Sequence, residues 1–100
     1  MDDRYENARE QFFTAIRILA TSPHDIQTRL IGAYKSILLV TIDEFEGDLE
    51  MKIKFARILD ELATDAHDIK DAVEETAAHM TDADASRIGL MICDFYYDLG

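Results

Sequence analysis

The sequence predicts one all-α domain, a compact bundle of about five helices made of two helical hairpins and a C-terminal helix. Three observations lead there. One hundred residues that are 48% hydrophobic make a single globular domain, residues 1 to 100, large enough to bury a core without a disulfide or metal staple. Apolar side chains recur at the three- and four-residue spacing of a helix face along most of the chain. Short polar punctuation between those stretches has the form of helix caps, Ser, Thr or Asp with an acid three residues on.

The first helix is expected over 3 to 20, with Tyr5, Ala8, Phe12, Ala15, Ile16 and Leu19 inward and Arg9 and Arg17 outward. It stops near Thr21. In Ser22-Pro23-His24-Asp25, Ser22 is placed to cap a second helix, Pro23 suits its first position, and Asp25 favours its positive end. That second helix reads from 23 to about 45 with two apolar stripes, one through Ile26, Leu30, Ala33, Ile37 and Val40, the other through Ile31, Tyr34, Leu38, Ile42 and Phe45. A helix apolar on two sides sits centrally, packed by neighbours on both.

Gly47 provides a stop and Asp48 a new cap. A third helix follows over roughly 49 to 63, with Leu49, Ile53, Phe55, Ala56, Leu59 and Leu62 inward. The same stretch alternates with period two, so a hairpin of 37 to 42 with 49 to 55 is a rival, although an isolated two-stranded hairpin is marginal in water. A fourth helix over about 66 to 80 places Ala66, Ile69, Val73, Ala77 and Met80 on one face. Thr81 then caps the last helix, 82 to 98, with Asp84 three residues on and Ile88, Met91, Ile92, Phe95 and Leu99 buried. Cys93 falls inside this apolar pattern and is expected to pack rather than react.

Two internal regularities stand out. Residues 19 to 27 and 62 to 70 share Leu, Ala, Thr, His, Asp and Ile at an offset of 43, and Phe12 matches Phe55 at the same offset. Either one good helix-cap-helix solution occurs twice, or a helical hairpin was duplicated. Thr28, Gly32 and Ser36, and likewise Ala85, Gly89 and Cys93, put small side chains four apart. Glycine inside a helix costs roughly 1 kcal/mol against alanine, so both Gly32 and Gly89 are expected at close helix contacts.

The formal net charge is −11, from 21 acids against 10 Lys plus Arg. Such a balance argues against direct nucleic-acid binding, which needs clustered cations. No apolar run approaches the roughly 20 residues that span a bilayer, and the acidic opening residues lack the pattern of a secretory leader. The single cysteine has no internal partner, so a reduced, cytoplasmic setting is expected. The charge is concentrated: residues 66 to 84 carry a formal −5. In the third helix the pairs Asp48–Lys52, Glu50–Lys54 and Arg57–Glu61 are placed to neutralise one another. From Asp60 to Asp84 nine acids face one base, Lys70.

The sequence therefore points to a non-catalytic protein that docks an acidic helical face, made of Asp65, Asp68, Asp71, Glu74, Glu75, Asp82 and Asp84, onto a basic protein partner. Inhibitors or immunity proteins of nucleic-acid-binding proteins, nucleases or toxins are the class by analogy. The plainer reading of the same acids is a solvated, solubilising surface. Tyr96 and Tyr97 cannot both be buried in a regular helix, which suggests a second alternative: an oligomeric subunit, such as a homodimer, joined through apolar and tyrosine-bearing faces. A third is a metal-dependent helical enzyme using His67, Asp71, Glu75 and His79, four apart. That stripe lies opposite the apolar face and lacks a matching motif on a second helix, so no metal or other cofactor is expected. No phosphate-binding glycine loop or paired-cysteine motif is present, and no catalytic residues are assigned.

Overall fold

The computed structural model describes residues 5–62 and 77–100. Among them the chain forms α1 (Glu6–Thr21), α2 (Ile26–Ile37), a 3-10 turn (Ile42–Phe45), α3 (Leu49–Leu62) and α4 (Asp82–Leu99), and no strand. The protein is an all-helical bundle, and the hairpin rival fails because 49 to 55 lies within α3. Most of the expected fourth helix lies outside the described residues; Ala77 and Ala78 are helical, and the Met80 amide closes back on the Ala77 carbonyl at 3.1 Å.

α1 and α2 form the tightest pair, an antiparallel hairpin. Arg29 donates from Nη1 to the Leu19 carbonyl at 2.7 Å, so one α2 side chain satisfies an orphan acceptor at the end of α1. Gly32 sits against Ile18: a Cβ there would stand 3.0 Å from the Ile18 Cγ2 methyl. The close-contact expectation holds for Gly32. It fails for Gly89, where a Cβ would meet nothing among the described residues within 4 Å.

The cap of α2 is Asp25, not Ser22. The Asp25 carboxylate accepts from the Thr28 amide at 2.8 Å, so the helix starts at Ile26 and Pro23 lies outside it. These Thr28 hydrogen bonds, side-chain and backbone, hold the Asp25 carboxyl below its usual range.

α2 also ends eight residues earlier than the pattern suggests. Beyond Ile37 the chain tightens, with the Leu39 amide on Ser36 and the Val40 amide on Ile37. Thr41 then turns extended, and Glu44 accepts from its amide at 2.8 Å. Asn7 of α1 pins the break by donating from Nδ2 to the Leu39 carbonyl at 3.3 Å and to Glu44 Oε2 at 3.1 Å. Val40, Thr41 and Ile42 are β-branched, which weakens helix continuation. Leu39 and Ile42 consequently point outward, while the turn swings Phe45 fully into the core.

Four phenylalanines from four elements meet there. Phe12 lies 4.6 Å from Phe95 between ring centroids, Phe45 lies 5.1 Å from Phe55, and Phe45 meets Phe95 edge-on at 5.5 Å. Such pairs add about 0.5–1.5 kcal/mol each beyond area burial. Phe12 and Phe55, matched in the sequence at an offset of 43, are themselves in edge contact at 6.2 Å. Tyr34 is buried beside this cluster and donates its hydroxyl to the Ile58 carbonyl; burial pushes its pKa upward.

The buried stripe of α3 is Met51, Phe55 and Ile58. Leu49 and Ile53, expected inward, are exposed, because the aromatic cluster fixes which side of α3 faces in. Gly47 takes φ +87°, a left-handed conformation open to glycine, and turns the chain into Asp48. The Asp48 carboxylate then receives the Met51 amide at 3.3 Å and the Tyr5 hydroxyl at 2.7 Å. α4 starts as expected, with Thr81 accepting the Asp84 amide at 3.2 Å. It buries Ala85, Ile88, Ile92, Phe95 and Leu99; Met91 is half-buried, and Cys93 is exposed rather than packed.

Candidate functional site

The C-terminal end of α3 and the N-terminal end of α4 lie side by side. Arg87 holds Glu61 through two bonds, Nη1–Oε1 at 3.1 Å and Nη2–Oε2 at 2.9 Å, while Lys54 reaches Asp98 at 2.9 Å at the opposite end. Pairing 61 with 87 and 54 with 98 makes α3 and α4 antiparallel. The bidentate hydrogen bond from Arg87 holds the Glu61 carboxyl below its usual range, and the same bond raises Arg87. Lys54 is raised by its bonds to Asp98 and Glu50.

Of the seven expected docking residues, Asp82 and Asp84 are described. Both are exposed in the first turn of α4, where negative charge complements the helix dipole. Asp82 also has a structural partner: Gln27 donates from Nε2 to its carboxylate at 2.7 Å and to the Met80 carbonyl at 2.9 Å, tying the start of α2 to the start of α4. Asp65, Asp68, Asp71, Glu74 and Glu75 lie outside the described residues, as do His67 and most of the expected metal stripe. Among the described residues no group of three or more His, Cys, Asp or Glu is placed to hold a metal ion. His79 is exposed, and exposed His24 precedes the α2 cap rather than lying inside the helix.

The expected neutralising pairs are rearranged. Glu50–Lys54 forms at 3.1 Å, but Lys52 turns to Glu46 at 3.0 Å and Glu61 turns to Arg87. Asp60, Asp82 and Asp84 make no ion pair among the described residues.

Two grooves flank α4. The one toward α3, about 300 Å³, has Ile58, Met91 and Phe95 beneath a rim of Lys54, Arg57, Asp94 and Asp98. Its charges of both signs lie at the rim and give it no single charge to select a ligand. The other lies between α1 and α4, encloses about 730 Å³ of open volume, and is lined by Phe13, Ile16, Cys93, Tyr96 and Tyr97 with Arg9 at one end. The sequence stripe omitted Phe13, which lies 48% exposed. Adjacent aromatics were the available signal, since Phe12-Phe13, like Tyr96-Tyr97, cannot both face the core.

No helix of the described residues is long and apolar enough to cross a membrane. No protein-family model, curated protein or solved structure matches the chain.

Proposed function

We propose that this chain is a non-catalytic binding protein that docks an acidic surface onto a basic protein partner. The partner class is a nucleic-acid-binding protein, a nuclease or a toxin, with this chain acting as its inhibitor or immunity protein. The supporting observation is the state of charge at the α3–α4 end. There Arg87 is already clamped to Glu61 and Arg57 lies beside Asp60 and Glu61, while Asp60, Asp82 and Asp84 carry no ion pair among the described residues. Between these positions the sequence adds Asp65, Asp68, Asp71, Glu74 and Glu75 against Lys70 alone. A stretch in which acids cluster and outnumber cations presents a negative potential that speeds encounter with a basic groove and rejects acidic partners.

Capture from a cytoplasmic lysate of the native host on immobilised protein tests this reading. A basic protein retained at about 50 mM salt and released at about 500 mM is expected, because the Debye length falls below the reach of the surface charges. Retention that is indifferent to salt, or of acidic proteins only, contradicts it.

A further inference from the structure

We propose that the groove between α3 and α4 binds a small zwitterion with an apolar side chain, the chemistry of a free apolar α-amino acid. This site does not depend on the docking function proposed above. Lys54, Arg57 and Glu61 lie three and four residues apart and share one side of α3; Arg87, Met91, Asp94 and Asp98 do the same on α4. Because the two helices run antiparallel, these side chains form rungs between them. Lys54 closes one rung on Asp98 at 2.9 Å, and Arg87 closes another on Glu61 at 2.9 Å.

Between these two rungs the same register sets Arg57 across from Asp94, and that rung stays open. Both residues are exposed and line the groove, yet neither enters an ion pair or a side-chain hydrogen bond among the described residues. The acids nearest Arg57 on its own helix do not answer it: both oxygens of Glu61 are taken by Arg87, and Asp60 makes no ion pair. Below the open rung lie Ile58, Met91 and Phe95, with about 300 Å³ of open volume, at the lower end of the roughly 300–1,000 Å³ of small-molecule sites. Arg87 also reaches the Met91 sulfur at 3.6 Å, so the clamp that closes one end of the groove steadies its floor.

Charge complementarity selects the occupant. A simple anion is drawn to Arg57 but opposed by Asp94 and by a chain of net −11; a simple cation is drawn to Asp94 but opposed by Arg57. A molecule that carries both charges on one carbon satisfies both walls. Its carboxylate takes the forked guanidinium of Arg57, its ammonium takes the Asp94 carboxylate, and its side chain lies on Ile58, Met91 and Phe95, where the flexible thioether adapts to it. A residue inside a peptide has lost both charges, so the occupant is the free molecule.

Amide NMR spectra of the full chain, titrated with L-leucine or L-methionine to about 50 mM, test the proposal. Saturable shifts confined to residues 54 to 61 and 91 to 98 are expected, half complete at about millimolar concentration, the range that so small a ligand reaches. On the unaltered protein, N-acetyl-leucine and leucinamide, each lacking one of the two charges, are expected to bind at least about threefold more weakly. Arg57→Gln and Asp94→Asn, each with an unchanged melting curve, are expected to weaken leucine by at least the same factor. No saturable shift overturns the proposal. So do equal affinities for the free and blocked molecules, and so does an affinity that neither variant lowers.

Discussion

The two ends of α4 present opposite surfaces. At its N-terminal end Asp82 and Asp84 stand exposed, and Arg87, one turn on, is bound to Glu61. Toward its C-terminal end Leu90, Cys93 and Tyr97 lie outward, and Cys93, Tyr96 and Tyr97 line an apolar groove with Phe13 that has Arg9 at one end. One end can be recognised through long-range potential and is weakened by salt. The other can be recognised only through contact, which salt screens little. One helix thus presents a charged surface at its start and an apolar one toward its end.

The contrast between the inner and outer seams of α4 is the sharpest to break. Phe95, 2% exposed within the aromatic cluster, is expected to cost about 3–5 kcal/mol when replaced by alanine. Leu90→Ala is expected to change stability by no more than about 0.5 kcal/mol. Urea unfolding of the two variants decides, and comparable losses would mean that the outer seam belongs to the core. A smaller effect separates the two glycines. Gly89→Ala is expected to stabilise by about 1 kcal/mol in thermal or urea melts. Gly32→Ala gains less or loses outright, because its Cβ meets the stiff Ile18 branch at 3.0 Å. A loss at Gly89 would show that something packs over it in the monomer.

The smallest effect concerns the Glu61–Arg87 clamp. The folded Glu61 carboxyl titrates below its unfolded value of about 4.3, so the contribution of the clamp is present above that pH and is lost as pH falls through the lowered folded value. The difference in melting temperature between wild type and Glu61→Gln should therefore be seen at pH 7 and vanish in strong acid. A difference that persists there would assign the effect to shape rather than charge.

Much of this architecture can be read from local pattern. The starts at Asp48 and Thr81 need only a cap and its third neighbour, and the inner seam of α4 follows its 3.6-residue period. What the pattern misses is non-local. α2 is broken by Asn7, 32 residues away from Leu39, which no window of sequence contains. In α3 the apolar residues run round the helix, so periodicity leaves Leu49 and Ile53 as plausible as Met51 and Ile58; the phenylalanines of other elements decide. The α2 cap was within reach. Asp25 is identical to Asp68 across the internal echo, whereas Ser22, the residue that the pattern favours, is replaced by Asp65. The acidic site is legible as composition, but Asp82 shows how structure modifies it, since Gln27 already occupies one of its oxygens. The apolar face was only half visible, through Tyr96 and Tyr97, because the inner stripe of α1 conceals Phe13.

The docking reading is tested most directly by charge reversal in the acidic stretch. Asp68→Lys, Asp71→Lys and Glu75→Lys together, with affinity for the captured partner measured beside a thermal melt, should abolish binding while the domain still folds cooperatively. Unchanged affinity in that folded variant would contradict the account.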